Sequence, residues 1–448
     1  MLVIISDLHL TDGTTGTTIG ASAFEDFRVR LRELAMDASH RANGVYRPIE
    51  SFDLVLLGDV FDLIRTTLWN DEGAAVRPWE HREKPGHFAD KIAEVTAAIL
   101  GRNQGALAAL RACSQGKAIT VPVAPGAAEQ VPVPVRIHYV VGNHDWYYHL
   151  PGAAFDAIRA TVNEAIGLAN GPGPYPHAPE ESERLMEVYR RHRIYARHGD
   201  IFDPFNYIEA KGRDAATLGD ALVVDLINRF PHLLRQRMTD LPPEFVDGLD
   251  ELANVRPSLL VPVWVDSLLS SSDLTRAQNH AVKRIWNELA DRFTELPFVR
   301  AHDKPLLLDE VDGLEATLKL SARFSFRDIA RIATFVQKRF WKGGFSYARH
   351  ALKEPAFKNG TADHIVYGHT HHYEVVPLHR RYDGQHEVSQ ICFNSGTWHV
   401  IHERTLKSDS LMTPQFTHFH VMTYIAFFAE DERSGRRFET WSGTLGVR

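Results

Sequence analysis

Five short apolar runs, each cut off by a cluster of Asp, Asn, His and Gly, constrain this chain more than any other feature: LVIISDLH (2–9), FDLVLLGDVFD (52–62), RIHYVVGNHDW (136–146), RIYARHGDIFD (193–203) and DHIVYGHTHH (363–372). Apolar runs without alternation are the pattern of strands buried on both faces. Polar residues at their C-terminal ends then gather along one sheet edge, where open α/β folds place their sites. Helical spacing fills the intervals, as in FEDFRVRLRELAMDA (24–38) and FADKIAEVTAAILGRNQGALAALRA (88–112), and ITVPVAPGAAEQVPVPVR (119–136) is a Pro-rich excursion before the third run. The expected class is therefore α/β.

The segment from about 204 to 360 differs. Stretches such as LGDALVVDLINRFPHLL (218–234) and RAQNHAVKRIWNELADRF (276–293) are helical in pattern and separated by Pro-rich loops, so they predict a mainly helical insertion or cap between the fourth and fifth runs. The expected organisation is a core of 1–204, an insertion of 205–360 and a return to the core over 361–448. FFAEDERSGRRFETW (427–441) predicts a closing hairpin turning at Ser434-Gly435.

The strand-end residues Asp7, His9, Asp59, Asn143, His144, His198, His369 and His371 supply carboxylate, imidazole and amide oxygen, the donor set of a borderline-to-hard divalent cation. Asp-x-His in an extended segment turns both side chains to one side, and His369 and His371 share that spacing. These are too many ligands for one ion, and a shared carboxylate such as Asp59 would hold two cations ~3.5–4 Å apart. The set suits manganese, iron, zinc or nickel, with manganese favoured.

In order, DLH (7–9), GD (58–59), GNHD (142–145), HGD (198–200) and GHTH (368–371) resemble the five motifs of calcineurin-like metallophosphoesterases, and NSGTW (394–398) resembles the strand that follows the last of them. The resemblance covers roughly the first 204 residues and the last ~90. It implies a four-layer αββα sandwich. It assigns Asp7, His9 and His371 to one metal, Asn143, His198 and His369 to a second, and Asp59 to the bridge. A metal-activated hydroxide would then attack phosphorus, with His144 facing the substrate and protonating the leaving oxygen, and Asp62 orienting His144. Leu63 stands where the phosphoprotein-phosphatase branch has a phosphate-binding arginine, which counts against protein phosphatase activity. SDLHL, GDVFDL and HGDIFD look closer to the branch containing UDP-2,3-diacylglucosamine diphosphatase, although the large insertion has no counterpart there.

The implied reaction is hydrolysis of a phosphodiester or pyrophosphate bond in a phosphorylated small molecule or nucleotide. Nucleic acid is an open alternative, as are a phosphomonoester and a scaffold role on an inactive fold. Against 57 Asp plus Glu stand 50 Lys plus Arg, a balance that gives no reason to expect non-specific nucleic-acid binding. Two cysteines do not make a disulfide framework, and MLVIISDLHL lacks the basic region and cleavage site of a secretory signal, so a cytoplasmic location is expected. No run reaches the ~18 apolar residues of a membrane helix, which leaves only peripheral membrane contact. Three single features have bland readings. His372 points opposite to His371 and is read as structural; Trp146, Tyr147 and Tyr148 are read as core before pocket. The stripe Arg327, Arg331, Lys338 and Lys342 is read as a solvated face.

Overall fold

The computed structural model describes residues 1–70, 76–302, 346–383, 386–405, 415–429 and 431–445. The basic stripe at 327–342 lies outside the described residues. The architecture is mixed α/β, built on two larger sheets and two smaller ones.

The five-stranded sheet runs Phe438–Thr444, Val421–Phe427, Leu2–Ile5, Phe52–Leu57, Val135–Val140. Its last three strands are parallel, and Val421–Phe427 pairs antiparallel with both Leu2–Ile5 and Phe438–Thr444. A four-stranded sheet runs Ile194–Ala196, His364–Tyr367, His386–Ser395, Tyr373–Asp383, parallel except for the last strand. Three of the five apolar runs thus lie as adjacent parallel strands in the first sheet, and the fourth and fifth, Ile194–Ala196 and His364–Tyr367, pair in parallel in the second.

Alternation along the strands places the cores. Leu2, Ile4, Val55, Leu57 and Val140 of the first sheet meet Ala196, Val366 and Phe393 of the second in one apolar cluster. Val3, Ile5, Leu54, Leu56 and Ile137 project the other way, onto Phe24, Phe27, Leu31 and Leu34 of the helix Ala21–Ala38 and onto the helices Pro85–Arg102, Gln104–Ser114 and Ala153–Ile166. Trp398 is fully buried there against Phe24 and Phe27, with ring centroids 5.4 and 4.9 Å away. The single helix suggested over 88–112 is two, because Asn103 turns its side chain back to the carbonyls of Ile99 and Thr11 and breaks the run. The Pro-rich excursion forms a two-stranded ribbon, Thr120–Pro122 with Gln130–Pro132.

Residues 205–299 bring a separate apolar cluster, in which Phe230, Leu234, Phe245, Val263, Ile285 and Phe293 are buried. Thr275 caps the helix Arg276–Glu295 by accepting from the Gln278 amide at 3.2 Å, while Gln278 Oε1 accepts from the Thr275 amide. This helical unit is fastened to the core by Trp146 Nε1 and the Tyr147 hydroxyl, which donate to Asp220 Oδ1 at 3.1 and 3.2 Å, and by Val255–Arg256, which pairs with Ile401–Arg404. Tyr347, Ala348 and Ala351 cover the second sheet beside Tyr195, Ile365 and Tyr367. No helix among the described residues is long and apolar enough to cross a membrane.

Candidate metal centre

The strand Leu2–Ile5 stops two residues before Asp7, and Phe52–Leu57 stops two before Asp59. Asp7, His9, Asp59, His369 and His371 then take left-handed backbone, with φ of 52°, 44°, 52°, 67° and 64°. This corrects the expectation of extended Asp-x-His and His-x-His segments. Asp7 and His9 still reach one locus, and His369 and His371 reach two adjoining ones, by turning in sharp left-handed steps. Non-glycine residues held in that region cost of order 1–3 kcal/mol each, and such strain clusters where side chains must be aimed.

The structure brings all seven expected ligands together. Asp7 Oδ1 lies 3.4 Å from His371 Nε2 and 3.9 Å from His9 Nε2, and the two imidazole nitrogens are 2.9 Å apart. On the other side, Asn143 Oδ1 lies 2.8 Å from His369 Nδ1 and 3.3 Å from His198 Nε2. Asp59 stands between, its Oδ2 3.2 Å from His198 Nε2 and 3.8 Å from His9 Nε2. Asp7, His9 and His371 make one group able to hold a cation; Asp59, His198 and His369 make another.

Second partners fix which nitrogen of each ring faces inward. His9 Nδ1 donates to Asp62 Oδ2 at 2.9 Å, and His198 Nδ1 donates to the Leu57 carbonyl at 2.9 Å, so in the neutral rings both Nε2 atoms present lone pairs. The His198 lone pair then meets carboxylate and amide oxygens, an arrangement that needs a positive charge. Burial alone would keep His198 neutral, yet Asp59 and Asp7 lift its pKa to about 9. Burial likewise raises Asp7, whereas Asp59, equally buried, is held well below the usual range by His198 and His144. Convergent donors whose hydrogen bonds point outward fit a divalent cation at each group.

Glycine supplies the room. A Cβ on Gly142 would fall on Asp59 Oδ1 and within 2.7 Å of His198 Nε2, and one on Gly368 would lie 2.6 Å from Asp7 Oδ2. Behind the site, Asn394 Nδ2 donates to the Gly368 carbonyl at 2.8 Å and Thr397 Oγ1 to the Asp7 carbonyl at 2.5 Å. The NSGTW stretch therefore props two ligand turns.

His144 sits at the mouth, with its amide donating to Asp59 Oδ1 at 2.8 Å and its Nδ1 to Asp62 Oδ1 at 2.7 Å. Asp62 is fully buried and serves His9 and His144 at once. Burial would raise its pKa, but the two imidazoles hold it far below the carboxylate range. Burial would lower His144, and Asp62 and Asp59 outweigh that and raise it.

Other histidines fall elsewhere. His138 pairs with Asp53 at 2.8 Å, His192 is buried at the C-terminal end of the helix Glu183–His192, and His372 Nδ1 meets Glu403 at 3.1 Å. Trp146, Tyr147 and Tyr148 are fully buried in the core. Sequence reasoning missed Asp203, whose Oδ2 lies 3.1 Å from His369 Nε2, and the two arginines Arg65 and Arg256, which line the cleft. Asp203 carried a signal, since it ends the same run as His198. Arg256 carried none, because only the fold of the insertion brings it near.

That cleft holds about 1070 Å³ of empty space counted out to its open mouth. Its floor is Asp59, Asn143, His144, His369 and His371; its wall is Leu222, Val223, Ile227, Ala253 and Pro257 of the helical unit. Comparison of the chain with known protein families, with curated proteins and with solved structures returns no match.

Proposed function

We propose that this chain is a dinuclear metal-dependent phosphoesterase of the calcineurin-like kind, a hydrolase acting on a phosphodiester or pyrophosphate bond. The two facing sheets with helices outside them are consistent with the αββα sandwich of that superfamily. The observation that carries the reading is the convergence of Asp7, His9, Asp59, Asn143, His198, His369 and His371 from five separate strand ends, with donor atoms inward and hydrogen bonds outward.

Asp7, His9 and His371 would hold one divalent cation and Asn143, His198 and His369 the other, with Asp59 common to both and manganese the ion to try first. Such a pair supplies Lewis acidity toward phosphoryl oxygens and makes a water nucleophilic near neutral pH. The chain's own contribution begins with His144. Held at Nδ1 by Asp62, it directs Nε2 toward the cleft, with its cationic form favoured, as a donor to a departing oxygen needs. Asp62 fixes the tautomer of His9 in the same way, so one carboxylate sets both a ligand and an acid. The apolar wall excludes water from one side and offers contact area to a nucleoside or acyl group. A nucleic-acid polymer would call for a basic channel, and the wall of this cleft is mainly aliphatic.

The test is turnover by metal-reconstituted protein of a panel covering p-nitrophenyl phosphate, bis-p-nitrophenyl phosphate, cyclic nucleotides, nucleotide-sugar pyrophosphates and single-stranded DNA. Expected is hydrolysis of a diester or pyrophosphate that chelator stops, that manganese restores, and that Asp59→Asn and His144→Ala each abolish. Two bound metals with no turnover of any compound would sink the enzymatic reading and leave a binding role.

A further inference from the structure

The second group of donors leans on the helical unit. Asp203 is buried and accepts three hydrogen bonds: Oδ1 from the Phe205 amide at 3.0 Å, and Oδ2 from His369 Nε2 at 3.1 Å and Asn206 Nδ2 at 2.8 Å. A carboxylate has no proton to give, so the facing atom of each partner is a donor. His369 therefore carries its proton on Nε2 and turns the Nδ1 lone pair inward. Asn206 sets its amino group on Asp203, which leaves its Oδ1 to accept from Asn143 Nδ2 at 3.3 Å. That contact in turn sends Asn143 Oδ1, 2.8 Å from His369 Nδ1, into the site. One carboxylate thus aims two ligands of the second group, His369 directly and Asn143 through Asn206. Among the described residues, Asp203 and Asn206 make no hydrogen bond to Asp7, His9 or His371.

Asn206 is held from its far side by the insertion. Its carbonyl accepts from Arg213 Nη2 at 3.2 Å, and Arg213 is itself buried, ion-paired with the fully buried Asp200 and placed 5.6 Å from the Tyr207 ring. The helix Leu218–Leu222 starts against the same turn. Its Gly219 amide donates to the Phe205 carbonyl at 2.8 Å, and a Cβ on Gly219 would stand 2.1 Å from Asn206 Oδ1, so only glycine leaves that side chain where it is. Asp220 of this helix is the residue that Trp146 and Tyr147 of the core hold. We propose that Asp203 and Asn206 are positioning residues for the second cation, kept in place by the docked helical unit, so that the insertion governs how tightly that cation is bound. The inference rests on the dinuclear reading above and deepens it. It gives the insertion a task at the metal centre itself, in addition to walling the cleft.

The test uses the full-length chain as wild type, Asp203→Asn, Asn206→Ala and Gly219→Ala, each checked for an unchanged melting temperature without metal. Asp203→Asn keeps the shape but must turn an amino group either on the Phe205 amide or on His369 and Asn206. Asn206→Ala frees the Asn143 amide to rotate, and Gly219→Ala displaces the Asn206 side chain. Manganese affinity is measured by calorimetry, and anomalous scattering from crystals grown with manganese shows which group is filled. Each variant should bind the ion at Asn143, His198 and His369 about 10- to 100-fold more weakly, with the ion at Asp7, His9 and His371 changed by less than about threefold. Equal weakening of both ions, or a second ion within about threefold of wild type in every variant, would overturn the bracket. Weakening by Asp203→Asn and Asn206→Ala with none by Gly219→Ala would overturn the part given to the helical unit. A wild type that binds fewer than two ions would sink the dinuclear reading and the bracket with it, whereas two ions held alike by wild type and variants would sink the bracket alone.

Discussion

Replacing Asp62 with asparagine tests the claim that one carboxylate governs two imidazoles. In the native arrangement Oδ1 accepts from His144 Nδ1 at 2.7 Å and Oδ2 from His9 Nδ1 at 2.9 Å. Asparagine has one acceptor oxygen and one amino group, so one ring must present a lone pair at Nδ1 and carry its proton on Nε2. If that ring is His9, the nitrogen 2.9 Å from His371 Nε2 is no longer a ligand. If it is His144, the stabilisation of its protonated form is lost. Hydrogen bonds to a charged group contribute about 1.5–3 kcal/mol each. The switched ring keeps a bond of reversed direction and both bonds lose the charge, falling to about 0.5–1.5 kcal/mol each, a total loss of about 2–3 kcal/mol on that scale. At about 1.4 kcal/mol per decade, kcat/KM should fall roughly 30- to 150-fold. The assay is steady-state hydrolysis of bis-p-nitrophenyl phosphate with manganese, alongside metal content by mass spectrometry and ¹⁵N shifts of the imidazole nitrogens. A loss smaller than about threefold, with both metals retained and both tautomers unchanged, would refute the reasoning.

Two further outcomes follow from the geometry. Gly142→Ala places a methyl group on Asp59 Oδ1 and His198 Nε2; activity should fall at least about 100-fold with reduced metal content, while circular dichroism stays native, and full activity would contradict the packing. Asp53 is buried under Arg136 (2.7 Å) and His138 (2.8 Å), which overcome the effect of burial and hold its carboxyl well below the usual range. Its folded pKa is depressed, so its stabilisation is full above the unfolded value near ~3.9 and is lost as pH falls below that toward the folded one. Asp53→Asn should cost about 3 kcal/mol at pH 7 in urea unfolding, with the gap to wild type closing in acid; a gap that stays constant down to about pH 3 would show that the pairing is not the source.

The parts of this site legible in the sequence are those where a ligand directly follows an apolar strand. Asp7, Asp59, Asn143, His198, His369 and His371 each stand within a few residues of a run that could only be buried, and strand direction then fixes the edge they share. What the sequence hid falls into two kinds. The left-handed turns at Asp7, His9, Asp59, His369 and His371 are backbone states that side-chain pattern does not report. The placement of Arg256 depends on how the helical unit lies on the core, a long-range result that no local spacing encodes. The division of 88–112 at Asn103 is of the same kind, since Asn103 reaches the Thr11 carbonyl far away in the chain.

The central place of Leu2–Ile5 in the five-stranded sheet has a consequence for how the molecule forms. On one side it pairs with Phe52–Leu57, and on the other Leu2 waits for Phe427. At synthesis rates of roughly 5–20 residues per second, that second neighbour emerges roughly 20–70 s after the first. Throughout that interval the first strand presents an open edge of unpaired amides and carbonyls flanked by aliphatic side chains, the surface on which chains aggregate. The helical unit can meanwhile bury Phe230, Leu234 and Phe293 among its own residues, while His369 and His371 arrive only near the end. The donor cluster is therefore completed late, and a nascent chain stalled before residue 421 is an unclosed sheet that a chaperone must shield.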